Sequence, residues 1–176
     1  MRDRLGDAEV VLRRWRTTDE TELRRVVSEA LPYLTPWMAW TADGYTAEAA
    51  TAFVAGAEDE WVNGTAFNYA VEVSGALAGS INAMARIGPG GLELGYWLHP
   101  EWVGRGLATR AVALLVAEAF RVGADRVEIV TDVANLRSAA IPRRLGFVEV
   151  ERRPAQEPVT SAEAGTDIVW RRTLTG

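Results

Sequence analysis

A chain of 176 residues, 48% hydrophobic and 24% charged, has the make-up of one globular domain with a sizeable core. Its formal net charge of -5 argues against a nucleic-acid binder that grips phosphates through a basic surface. With no cysteine and one histidine, the sequence excludes disulfides, thiolate metal sites, a cysteine nucleophile and any multi-histidine metal site.

The opening "MRDRLGDAEV" holds no apolar signal core, and no apolar run approaches the roughly 18 residues of a membrane span. The expectation is a soluble cytoplasmic protein with neither membrane nor nucleic acid as partner. Residues 9–15, "EVVLRRW", read as a first strand. A helix follows, with Thr17, Thr18 or Asp19 as cap and Leu23, Val26, Val27 and Ala30 at helical spacing. "PYLTPWMAW" (32–40), with two prolines and two tryptophans, is expected to be irregular. Thr46 caps a second helix that Gly64 ends.

Three strand-like runs come next. "AFNYAVEV" turns at Ser74-Gly75 into "ALAGSINAMARI", and "GPGG" (88–91) leads into "LELGYWLH". A long helix over 106–122 stops at Gly123 and precedes the buried strand "RVEIVTDV". "NLRSAAIPRRLG" reads as a short helix in which Pro142 is awkward. Two last strands, "FVEVERR" and "TDIVWRRTL", flank the loop 154–165. The order βααβββαβαββ describes an α+β (mixed α/β) fold of about seven strands and four helices, with one domain over 1–176.

The stretch "WLHPEWVGRGLAT" places Gly104 and Gly106 just before the long helix. Free N–H groups and the macrodipole make that helix start a candidate phosphate cradle, with Arg105 and Arg110 as extra positive charge. A plain strand-to-helix turn would use the same glycines. A P-loop needs Lys followed by Ser or Thr after its last glycine, and "GRGLAT" lacks the pair. A dinucleotide fingerprint needs its glycines straight after a first strand, and here a meander precedes them.

"ELGYWLHPEWVGRGLATRAVALLVAEAF" followed by "NLRSAAIPRRLGFVEV" resembles the GNAT acyl-CoA-dependent N-acyltransferases, in particular the branch of ribosomal-protein N-terminal acetyltransferases. The likeness covers about residues 8 to 153. It implies that Val103, Gly104, Arg105, Gly106, Leu107, Ala108 and Thr109 wrap the pyrophosphate of acetyl-CoA. Gly106 and Ala108 match the family loop, whereas Val103 stands where Gln or Arg is common. The resemblance further implies that the strand end Trp97-Leu98-His99 splays from its neighbour and pairs with pantetheine. Asn135 would hold the same ligand, Ser138 would assist the departing thiolate, and relatives in this branch often form homodimers.

Period 2 puts Glu93, Gly95, Trp97 and His99 on one strand face and Leu92, Leu94, Tyr96 and Leu98 on the other, which is expected to be core. Glu93 is the candidate base for a primary-amine acceptor, and a salt-bridged strand glutamate would occupy the same position. Asn135 would equally serve as a helix cap. His99 is unique in the chain but sits at a strand end before Pro100. Tyr33, Trp37 and Trp40 read either as core packing or as an aromatic wall of the acceptor pocket. The expected activity is acetyl transfer from acetyl-CoA to a protein N-terminus or small amine by direct attack, without a metal. A non-catalytic CoA-binding module and a different donor such as succinyl-CoA are the alternatives.

Overall fold

The computed structural model describes residues 1–156 and 158–174. Eight strands form one sheet: β1 (Arg4–Gly6), β2 (Val10–Arg14), β3 (Ala66–Val73), β4 (Ala76–Met84), β5 (Gly91–Leu98), β6 (Arg126–Asp132), β7 (Val148–Pro154) and β8 (Thr166–Thr173). Four helices accompany them: α1 (Glu20–Leu34), α2 (Ala47–Asn63), α3 (Leu107–Arg121) and α4 (Leu136–Arg144). The strand order is β1-β2-β3-β4-β5-β6-β8-β7. Among the described residues only β5 and β6 pair in parallel, as expected of two strands joined by a helix. The mixed fold and the four helices agree with the sequence, and the strand count rises from about seven to eight. The added β1 pairs Leu5 with Leu12 and buries only that leucine, too short a pattern for alternation to betray.

Local chemistry explains the elements. Ser74 and Gly75 both take positive φ (51° and 81°), the left-handed pair that a two-residue hairpin turn requires. Thr46 accepts a hydrogen bond from the Ala49 N–H at the start of α2, and Gly64 ends it at φ 68°. Asp19 stands at the start of α1 without capping it by side chain. Its carboxylate instead accepts the Arg16 N–H (2.8 Å) and clamps the Arg13 guanidinium (2.6 and 2.9 Å). The expected irregular segment shortens, because α1 runs through Pro32 to Leu34. Pro32 lies on the exposed side of the last turn, and the carbonyl it orphans, that of Ser28, belongs to an exposed residue that water can serve.

Both faces of the sheet are covered. α3 packs Leu107, Ala111, Val112, Leu115, Val116 and Ala119 against one face, each large side chain stabilising the fold by about 1.5–3 kcal/mol. α1 and α2 cover the other face around Trp15, Leu23, Val27, Val54 and Leu77. Buried Glu118 on α3 pairs with Arg121 (2.7 Å) and Arg2 (2.8 Å), tying the first residues to the end of α3. Its carboxyl is held down at about 2, chiefly by the Arg121 hydrogen bond. Among the described residues, no helix is long and apolar enough to cross a membrane.

Candidate active site

Strands β5 and β6 pair only from Gly91–Leu94 against Arg126–Ile129. Beyond that point β5 stays paired with β4 as far as Leu98, and β6 with β8 as far as Asp132, so a gap opens between them. The His99 N–H donates to the Ala78 carbonyl (2.8 Å), which sets the alternation of an antiparallel pair. The peptide groups of Tyr96 and Leu98 therefore face the gap. Trp97 and His99 lie on the α1/α2 face. Of the three residues expected to contact pantetheine, Leu98 thus offers its backbone to the gap. The His99 ring turns to Glu101 (3.6 Å) and Glu29 (3.8 Å), and its Nδ1 accepts the Glu101 N–H (3.4 Å).

The chain leaves β5 through a single turn, Pro100–Trp102, and reaches two exposed glycines. Gly104 (φ 82°) and Gly106 (φ 77°) are left-handed, and a Cβ on either would meet no atom within 4 Å. Backbone conformation, not space, therefore requires glycine there. The Arg110 N–H closes the first helical bond on the Gly106 carbonyl (3.1 Å). The N–H groups of Leu107, Ala108 and Thr109 have no acceptor inside α3, and the helix dipole adds partial positive charge at the same spot. Leu107 and Val103 pack into the core, which seats the loop. Arg105 lies over the Trp102 ring at 5.0 Å and is exposed. Arg110, expected to lend charge to the cradle, is instead engaged by Asp7 (3.0 Å) and Glu9 (3.3 Å).

Helix α4 brings the second motif to the gap. The Asn135 Oδ1 accepts the Ser138 N–H (3.1 Å), so Asn135 does cap α4. Pro142 lies inside this helix and has no N–H for the carbonyl four residues back, that of Ser138. The Tyr96 hydroxyl donates to that carbonyl at 3.2 Å and stands 3.1 Å from Ser138 Oγ. Burial pushes the Tyr96 hydroxyl up to about 12, the Ser138 hydrogen bond opposing it. The sequence placed Tyr96 among core residues and missed this contact. The spacing of Ser138 and Pro142 was the available signal, since a carbonyl that proline leaves without its helical donor needs another.

Opposite α4, on the α1/α2 face, Glu93 is 6% exposed, 2.5 Å from the Arg86 guanidinium, and directly across from Glu128. Glu128 in turn pairs with Arg171 (2.6 Å). Glu93 thus shares the face of Trp97, as expected, within an ion-paired cluster. Asn82 sits opposite Gly95 and accepts its N–H through Oδ1 (3.0 Å), taking up the room a side chain at Gly95 would need. The three expected acceptor-wall residues separate. Trp40, 49% exposed, stands edge-on to Tyr45 (5.7 Å) and tilted against Trp97 (6.3 Å). Tyr33 packs on the core beneath α1 and α2, and Trp37 is half-buried in the connection. The loop after β7 crosses to this wall, where Thr160 Oγ1 (2.6 Å) and the Ala162 N–H (3.0 Å) donate to the Pro36 carbonyl. Its far end is held by Asp132, whose carboxylate accepts the N–H groups of Ala134, Ala164, Gly165 and Thr166 at 2.8–3.1 Å.

Splayed parallel strands beside an open helix start, with a hydroxyl-bearing helix on one side and an aromatic wall on the other, suit a long thioester and an amine. Residues 9–148 match the family model described as acetyltransferase (GNAT) domain. The chain belongs to the GNAT acetyltransferase family. YdaF of Bacillus subtilis (strain 168) is 41% identical over 58 residues, a stretch that spans about a third (32%) of either chain. Among solved structures, the microcin C7 self-immunity acetyltransferase MccE, in complex with acetyl-CoA and AMP, superposes with a TM-score of 0.88 at 20% identity. The match covers 96% of this chain and 94% of MccE. RimL, a ribosomal L7/L12 alpha-N-protein acetyltransferase in complex with coenzyme A, gives 0.87 at 22% identity and covers 95% of both chains. RimJ of Mycobacterium smegmatis gives 0.88 at 22%, covering 98% of this chain and 88% of RimJ. At these identities the structural likeness shows that the GNAT fold is shared.

Proposed function

We propose that this GNAT chain transfers an acetyl group from acetyl-CoA to a primary amine, by direct attack in a ternary complex. The observation that carries the reading is the gap between β5 and β6, lined by the peptide groups of Tyr96 and Leu98 and ending at the α3 cradle. An amide-bearing pantetheine arm can pair with those groups as an added strand would. The N–H groups at the start of α3, with the Gly104–Gly106 loop and Arg105, then suit the pyrophosphate. Val103 and Leu107 anchor the loop, Ala108 and Thr109 supply first-turn donors, and Asn135 flanks the arm.

In the chemical step the amine nitrogen attacks the thioester carbonyl carbon. Its proton passes to Glu93, directly or through water, and positioned general-base help is worth about 10²–10⁴-fold in rate. The Leu98 N–H faces the gap and suits the oxyanion of the tetrahedral intermediate. The carbon–sulfur bond then breaks, and the Ser138 hydroxyl hydrogen-bonds the departing thiolate. Trp40 and Trp97 form the acceptor wall, with Tyr33 and Trp37 behind and beside it. The name of RimL, an alpha-N-protein acetyltransferase, favours a protein or peptide α-amine as acceptor. Arg86 and Arg171 are each paired with a glutamate, so the site does not favour a carboxylate-ended donor such as succinyl-CoA.

The test is an acceptor panel of N-terminal peptides, polyamines and amino acids, followed by CoA release. Release with at least one amine, and none without one, is the expected result. Tight acetyl-CoA binding with no thiol released by any amine would instead identify a binding module.

A further inference from the structure

The Tyr96 hydroxyl meets two atoms of one residue, the Ser138 carbonyl (3.2 Å) and Ser138 Oγ (3.1 Å), and takes no part in the chemistry assigned above. We propose that Tyr96 is a positioning residue for Ser138, using its hydroxyl to aim the serine proton at the CoA sulfur. The proposal rests on the acetyl-transfer reading and on the role of Ser138 within it.

A proton inventory carries the argument. The seating of α4, whose Ala139 and Ile141 pack into the core, decides where Ser138 Oγ lies, and two hydrogen bonds fix the serine's own backbone. The Asn135 Oδ1 takes the Ser138 N–H, and Tyr96 takes the Ser138 carbonyl that Pro142 leaves without a helical donor. The two hydroxyls then share two protons. When Tyr96 donates to the carbonyl, its oxygen is the nearest acceptor for the serine proton, which points away from the gap. When Tyr96 donates to Oγ, the serine has accepted one hydrogen bond and its own proton turns outward. Negative charge appearing on sulfur favours the second arrangement. Tyr96 keeps its proton in both, consistent with the upward push of burial on that hydroxyl. Its service is therefore orientation. No proton is transferred from it. Its ring is set by β5 and core packing, so the hydroxyl is delivered from a rigid strand.

The experiment is a double-mutant cycle of Tyr96→Phe and Ser138→Ala, with kcat, both KM values and the melting temperature measured for each form. Phenylalanine keeps the ring and removes the hydroxyl. Tyr96→Phe should lower kcat roughly tenfold, the worth of one hydrogen bond of about 1.4 kcal/mol, and leave the acetyl-CoA KM within about twofold. The double variant should match Ser138→Ala alone, because the tyrosine acts only through the serine. Unchanged kcat in Tyr96→Phe overturns the proposal, as does a double variant in which the two losses multiply. A raised acetyl-CoA KM with kcat preserved would make Tyr96 a staple of α4 and nothing more. Full kcat in Ser138→Ala removes the serine role and this proposal together while acetyl transfer stands. A wild-type protein that acetylates no amine overturns both readings.

Discussion

The Arg86 guanidinium lies 2.5 Å from the Glu93 carboxylate, on the strand face that also carries Trp97. A base held this way is fixed in position but shares its lone pairs with a cation. If Glu93 takes the amine proton, Glu93→Gln should lower kcat about 100-fold with little change in the acetyl-CoA KM. If the pair serves only the fold, the same variant should lose melting temperature and keep kcat. Steady-state kinetics beside thermal unfolding separates the two.

Gly106 tests the cradle. Alanine there must adopt a left-handed conformation costing about 1–2 kcal/mol, or else move the N–H groups behind it. Gly106→Ala should weaken CoA binding roughly tenfold by calorimetry and leave acceptor affinity unaltered. Equal CoA affinity in variant and wild type would remove this loop from the binding site.

Trp40 tests the opposite wall. It is exposed and touches Tyr45 and Trp97, so trimming it should hardly disturb the core. Trp40→Ala should raise the acceptor KM about fivefold or more, the acetyl-CoA KM staying put, since buried aromatic contact with a ligand is worth about 1 kcal/mol or more. An unchanged acceptor KM would exclude Trp40 from the wall.

Asp132 couples stability to pH. Burial raises its carboxyl, but four backbone N–H groups outweigh burial and hold it below the ordinary value of 3.8. A group with a lowered folded value contributes stability that is full above its unfolded value and is lost as pH falls through the folded one. Asp132→Asn should cost about 2 kcal/mol near pH 7, a drop of roughly 5 °C, because the amide cannot accept from all four donors. The difference from wild type should shrink as pH falls below about 3.8. A constant difference across that range would show that the charge contributes nothing.

The sequence made much of this legible because strands, turns and caps depend on neighbours. The alternation around Glu93 and Trp97, the Ser74-Gly75 turn, the Thr46 cap and the Gly64 stop all agree with the structure. What stayed hidden depends on partners far along the chain. Arg110 reads as a phosphate ligand until Asp7 and Glu9 are seen to hold it. Tyr96 reads as core until α4 is laid across it. Trp37 and Trp40 look alike in sequence, yet only Trp40 reaches Trp97.

Pro142 exchanges a bond within α4 for one supplied by a different element. Core packing of Ala139 and Ile141 holds the helix, but the Ser138 backbone within it consequently depends on a side chain that belongs to β5. A residue with an N–H at 142 would let α4 satisfy Ser138 by itself, and the phenol at 96 would lose its claim on the backbone. The contact with the Ser138 hydroxyl would then be what remains to keep a phenol there, so residue 96 should stay tyrosine wherever residue 138 stays serine, whatever stands at 142.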